Sequence, residues 1–256
     1  MNCPQQSFSI LLMIPNLRVG GSNPPGITTP DQKRLETCQS QPIYRPMSEP
    51  STNPQEKKRE KAAPLLGCYD DLDGSCAHAW ALLARGVKDR RSPFHTPGLA
   101  TVSPEGSPEI RTVVLRGCDP QTRNLRFHTD TRSAKIADMQ KQPQAALHFY
   151  DPGAKIQLRV RARLELLTGE AHASAWDNTR PMSRECYQVT QAPGSPLSTP
   201  ADVVFDAAAT NDGADHFAPV VAHVRQIEWL YLAARGHRRA LFDFTASKPQ
   251  HSWLVP

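Results

Sequence analysis

Residues 155–167 read Lys-Ile-Gln-Leu-Arg-Val-Arg-Ala-Arg-Leu-Glu-Leu-Leu. Ile156, Leu158, Val160, Ala162, Leu164 and Leu166 share one face of an extended chain, and Lys155, Gln157, Arg159, Arg161, Arg163 and Glu165 share the other. Successive side chains of a strand point to opposite faces. The segment therefore predicts a long strand with one packed and one wet face, as antiparallel sheets have. Shorter runs of the same kind stand around it at 98–103, 109–116, 125–129, 145–150, 221–233, 239–244 and 253–255. Turn residues punctuate them at 104–106 and 119–124. Helical patterning covers 75–88, with a stripe of Ala77, Trp80, Ala81, Leu83 and Ala84 and Ser75 as the cap. Shorter helices are predicted over 133–140, 169–178 and 182–189, and a Pro/Gly/Ser loop over 192–200. Many short strands with few helices define a mainly β fold, a barrel or a sandwich.

The chain has 256 residues, and ten of its 24 prolines fall within the first 64. A segment of that composition buries too little apolar surface to offset its ordering entropy. Residues 1–65 are read as a disordered tail and 66–256 as one folded domain. Met47 opens an ordinary flexible start, Met-Ser-Glu-Pro, whereas residues 19–26 (Val-Gly-Gly-Ser-Asn-Pro-Pro-Gly) look like a transfer-RNA gene read as protein; translation is expected to begin at Met47.

The net charge of +5 is spread along the chain. A nucleic-acid footprint would be denser, and the strand at 155–167 carries no aromatic residues between its arginines. No apolar run approaches the roughly 20 residues of a membrane helix. The cysteines Cys3, Cys38, Cys68, Cys76, Cys118 and Cys186 form no paired metal-ligand spacing. We expect a cytoplasmic protein with free thiols, no metal, no membrane and no nucleic-acid partner.

Two stretches carry candidate chemistry. Arg111-Thr-Val-Val-Leu-Arg116 is a strand with a guanidinium at each end. An anion lying along it, gripped by forked donors, explains them; arginines snorkelling to solvent explain them too. In Phe127-His-Thr-Asp-Thr-Arg-Ser-Ala-Lys135 a strand gives way to a helix start, where free N–H groups meet Arg132, Ser133 and Lys135. That combination is a phosphate cradle or a capped surface helix with solvated charges.

Together these stretches resemble the pyridoxamine 5′-phosphate oxidase-like flavoproteins, in which an Arg-x-Val-Leu-type strand, an aromatic-or-His–Thr pair and a Ser-x-Lys helix start bind FMN. The resemblance implies an FMN-binding split β-barrel with a few flanking helices. It implies that Arg111, Arg132, Ser133 and Lys135 hold the FMN phosphate, with His128 and Thr129 beside them. The backbone of Thr112, Val113, Val114, Leu115 and Arg116 would line the flavin ring, with Gln157 and Gln191 near it. Toward the C-terminus Trp229, Arg235, His237 and Arg239 match the family pattern Trp-x5-Arg-x-His-x-Arg. By resemblance Trp229 and Arg239 contact flavin from a partner subunit, and Arg235 and His237 face the substrate as the candidate catalytic pair. Residues alone leave a basic turn between two strands as the other account.

The family's Tyr-x3-Arg-x3-Ser run, which holds substrate phosphate, is here Trp176-x3-Arg180-x3-Arg184, and Arg116 stands where a lysine is common. The expected substrate set is Arg116, Trp176, Arg180, Arg184, Arg235 and His237. The implied activity is a homodimeric FMN-dependent oxidoreductase, an oxidase of a small phosphorylated substrate. An FMN-binding module without turnover, serving as sensor, store or reductase partner, is the competing expectation.

Overall fold

A computed structural model describes residues 67–205, 213–233 and 236–256. The expected tail, the start at Met47 and Arg235 lie outside the described residues.

Among the described residues nine strands form one antiparallel sheet: β1 (Gly98–Val102), β2 (Pro108–Thr112), β3 (Leu115–Asp119), β4 (Asn124–Asp130), β5 (Gln144–Asp151), β6 (Ile156–Leu166), β7 (Phe217–Tyr231), β8 (Arg238–Asp243) and β9 (Gln250–Leu254). The order is β2-β1-β5-β6-β7-β4-β3, with β8 on β7 and β9 on β8. The two ends of that path, β2 and β3, are one stretch of chain interrupted at Val113–Val114. That stretch pairs with β1 at one end and with β4 at the other, so the sheet closes into a barrel. β7 is long enough to bond β4 with its first half, β8 with its second and β6 along most of its length.

The strand read over 155–167 is β6, and Ile156, Leu158, Val160, Ala162 and Leu164 point into the core as the alternation requires. The strand read over 109–116 is broken. Arg111, Val113 and Leu115 do turn inward, but the ladder stops after Thr112 and resumes at Leu115. Across β3–β4, Leu115 faces Phe127 and Gly117 faces Arg126, leaving Arg116 as an extra, bulged residue. A bulge bends its strand and re-aims the side chain it carries.

Among the described residues four helices flank the barrel: α1 (Leu72–Lys88), α2 (Ala134–Lys141), α3 (Gly169–Asp177) and the single turn α4 (Pro181–Arg184). α1 begins earlier than the sequence suggested. Asp71, not Ser75, is its cap and accepts from Gly74 N, while Ser75 is buried and donates to the Cys68 carbonyl. The helix packs on the barrel through Cys76, Ala79, Trp80 and Leu83, whereas Ala77 and Ala81 face outward. Gly86 is required near its end: a Cβ there would stand 2.6 Å from the Phe94 carbonyl oxygen. That close approach lets buried His95 donate from Nδ1 to the Gly86 carbonyl at 2.6 Å. Residues 182–189, expected as one helix, divide into α4 and a 3-10 turn at Glu185–Tyr187.

No helix among the described residues is long and apolar enough to cross a membrane. Among them Cys68, Cys76, Cys118 and Cys186 are free thiols, and no His/Cys/Asp/Glu group has metal-ligand geometry.

Candidate functional site

The start of α2 gathers the first group of charges. Ser133 occupies the N-cap, but its hydroxyl makes no cap bond. It is instead bonded to the Lys135 ammonium, which also donates to Thr129 Oγ1 at 2.9 Å. Arg111 arrives from β2, bonded to Thr101 Oγ1 and 3.3 Å from the Asp138 carboxylate. Burial, and then the Arg111 guanidinium, hold Lys135 below the usual lysine value, against the pull of Asp130 and Asp138. Two cations thus stand close together at a helix start with a serine and a threonine hydroxyl beside them. This donor set fits a phosphate, whose charge would relieve the crowding.

Arg132 does not belong to this group. Its Nε and Nη2 grip the Asp130 carboxylate at 3.0 and 2.7 Å, and its Nη1 donates to the Val189 and Thr190 carbonyls. Arg132 was expected at the phosphate; in the structure its guanidinium ties the 189–190 loop to the end of β4.

A second group lines a cavity of about 190 Å³. β3 and β4 form one wall with Leu115, Arg116, Arg126 and His128; the end of α1 supplies Lys88 and Arg90; the α3–α4 turn supplies Asn178, Thr179, Arg180 and Ser183. The lining includes five permanent cations and no carboxylate. The Arg126 Nε and His128 Nε2 atoms are buried there without a hydrogen-bond partner. Burial, then Arg126 and Arg116, push His128 down to about 4, so at neutral pH its ring is uncharged. Arg126 and His128 alternate with the core residues Leu125 and Phe127 on β4, and that alternation was the available sequence signal for this wall.

The run 176–184 is only partly at the cavity. Arg180 lines it, but Arg184 does not: it donates to the Thr179, Trp176 and Asp177 carbonyls and lies 4.6 Å over the Trp176 ring. Trp176 packs in turn against Phe217, 5.1 Å between centroids. Trp176 and Arg184, expected at the substrate, together close the end of α3. Ser183, one residue earlier, occupies the cavity wall instead.

The structure gives the other expected flavin contacts the following surroundings within one chain. Trp229 is 0% exposed inside the barrel, 5.2 Å from the Tyr69 ring, so its indole is not open to a ligand. Gln191 spends both ends of its amide on the loop that follows, accepting from Val204 N and donating to the Asp202 carbonyl. Gln157, half-buried, accepts from His148 Nε2 across β5–β6. His237 is exposed in the β7–β8 turn and accepts from Ala233 N. Arg239 pairs with Glu228 at 3.0 Å. Neither of these last two lines the cavity of its own chain.

A closed antiparallel barrel with an anion cradle at one helix start is the architecture of the FMN-binding split barrels. Two solved structures share it. A pyridoxamine 5′-phosphate oxidase-related, FMN-binding protein from Nostoc punctiforme superposes with TM-score 0.57 and 25% identity over 77% of this chain and 99% of that one. PhzG from Burkholderia lata, solved with tetrahydrophenazine-1-carboxylic acid, superposes with TM-score 0.58 and 18% identity over 76% and 99%. The family model for the pyridoxamine 5′-phosphate oxidase FMN-binding domain matches residues 77–168. That segment belongs to this family and is an FMN-binding domain. Curated relatives include a pyridoxine/pyridoxamine 5′-phosphate oxidase from Azorhizobium caulinodans, 43% identical over 39% of this chain and 48% of the relative. Another, from Legionella pneumophila, is 38% identical over 34% and 39%. The chain thus spans less than half the length of the curated relatives it matches.

Proposed function

We propose that the chain is an FMN-dependent oxidoreductase of the pyridoxamine 5′-phosphate oxidase type, acting on a small phosphorylated substrate. One observation carries the reading. Two anion-binding groups are built on neighbouring residues of the same strands: Arg111 and Arg116 bracket the β2–β3 junction, and Thr129 and His128 are consecutive on β4. Arg111, Ser133 and Lys135 would hold the FMN phosphate, and the backbone of 112–116 would run along the ring. Arg116 and Arg180 would hold the substrate anion in the cavity beyond it.

Bound FMN supplies a two-electron acceptor. The chain's own residues bind and orient. Arg116 would offer positive charge to a reduced ring bound along 112–116, and neutral His128 would add no charge beside the substrate. His237 and Arg239 are not in the lining of their own cavity, which suits a homodimer in which a second copy supplies them and Arg235.

The visible spectrum of the purified protein with added FMN tests the cofactor site. Aerobic incubation with pyridoxine or pyridoxamine 5′-phosphate, followed by aldehyde formation, tests the activity. Stoichiometric flavin with no aldehyde would favour the second reading, an FMN module without turnover. That reading draws on the run 176–184, where the Arg184 guanidinium donates to the Trp176 carbonyl and lies over the Trp176 ring rather than lining the cavity.

A further inference from the structure

The cavity is over-supplied with positive charge for one phosphate. Lys88, Arg90, Arg116, Arg126 and Arg180 all line it, and among the described residues none of the five is in an ion pair. A phosphate monoester carries at most about two negative charges at neutral pH, which leaves most of this field uncompensated. The arrangement at the inner wall is specific. The bulge at Arg116 leaves Gly117 opposite Arg126. A Cβ on Gly117 would stand 3.1 Å from Arg126 Cβ and 3.2 Å from its Nε, so glycine lets the guanidinium stem lie close over the strand. Its Nε is buried and, among the described residues, makes no hydrogen bond; the side chain lines the cavity without an acidic partner among them. A cation without a counter-charge at a cavity wall is costly unless something completes it.

Volume limits what that something is. At about 190 Å³ the cavity falls below the roughly 300–1,000 Å³ of ordinary ligand pockets. A nucleotide is too large, and a bare phosphate leaves Arg126 without its partner.

We propose that the ligand of this cavity is a compact molecule bearing two anionic groups, a phosphate and a carboxylate, and that Arg126, seated over Gly117, is the residue that reads the carboxylate. The proposal deepens the reading of the cavity as the substrate site and rests on it. Arg116 and Arg180 take the phosphate; Arg126 sets the specificity, with Lys88 and Arg90 at the mouth.

The test compares 2-phosphoglycolate with ethyl phosphate, which keeps the phosphate and lacks the carboxylate, by calorimetric titration of the FMN-loaded full chain. The wild type should bind phosphoglycolate at least about tenfold more tightly, as a charge-assisted bidentate contact does. Arg126→Gln should bring the two ligands within about twofold of each other. Gly117→Ala, which crowds the guanidinium without removing it, should narrow the difference in the same direction. Equal binding of both ligands by the wild type overturns the proposal, as does binding of neither or an equal loss of both in Arg126→Gln. Failure of the flavin reading shows separately: FMN would not bind, while the discrimination between the two ligands would persist in the unloaded protein.

Discussion

The Asp138 carboxylate lies 3.3 Å from Arg111 Nη2 and accepts a 2.6 Å hydrogen bond from Thr101 Oγ1, with only 2% of the residue exposed. One buried acid thus fixes the cation expected at the FMN phosphate. Asp138→Ala removes the buried partner of both and leaves Arg111 only the exposed Glu109 carboxylate at 3.9 Å, so stability should fall by about 2–3 kcal/mol. FMN affinity should fall with it, because Arg111 loses its anchor. Urea unfolding checks the first effect; a loss below about 0.5 kcal/mol would put the pair in the class of surface ion pairs.

Lys135 gives a pH signature. Its ammonium is held below the ordinary 10.5 by burial and Arg111, and a bound phosphate favours the charged form. FMN binding at alkaline pH should therefore take up protons, and affinity should fall as pH rises through the depressed value. Without ligand the sign reverses: the unfolded chain keeps this proton to higher pH, so folded stability from this group rises with pH up to the ordinary value. Calorimetry in two buffers of different ionisation enthalpy reads the uptake. Lys135→Met should abolish it and weaken FMN about tenfold.

His128 acts in acid. Its folded value of about 4 lies below the ordinary 6.5, so as pH falls the unfolded chain protonates first. Stability should drop across that interval, by about 3 kcal/mol in total. Urea midpoints at pH 7 and pH 5 should differ less in His128→Gln than in the wild type; an unchanged difference would mean that the acid sensitivity arises elsewhere.

Arg180 and Arg184 are four residues apart and should behave differently. Arg184→Ala loses three carbonyl contacts and the stack on Trp176, so it should cost about 1–2 kcal/mol of stability and leave anion affinity in the cavity nearly unchanged. Arg180→Ala should do the reverse. A thermal melt and a phosphate titration on each variant separate the two effects.

Much of the barrel was legible because β6 is wet on one face and dry on the other, which alternation reports directly. β7 was read from residue 221 although it starts at Phe217, because Pro219 has no N–H to give a ladder and reads as a break. The junction at Val113–Val114 was hidden for the opposite reason: two β-branched residues favour continuing the strand. At the site, the family resemblance grouped Arg111, Ser133 and Lys135, which residue patterns alone left open. It could not tell that Arg132 and Arg184 are taken up by Asp130 and by backbone carbonyls, since those partners are fixed only by the folded chain. Lys88 and Arg90 reach the cavity from a helix far away in sequence, beyond what any local pattern reports.

The position of β7 also orders events in time. β4 and β6 each keep one side unpaired until β7 supplies it. As the chain leaves the ribosome N-terminus first, the cradle residues on β2, β4 and α2 are all made while the barrel is still an open sheet. Residues 131–216 must follow before β7 begins, so for that interval two bare strand edges are available to a neighbouring nascent chain. Expression yield should therefore be most sensitive to changes that slow synthesis or docking of residues 217–231.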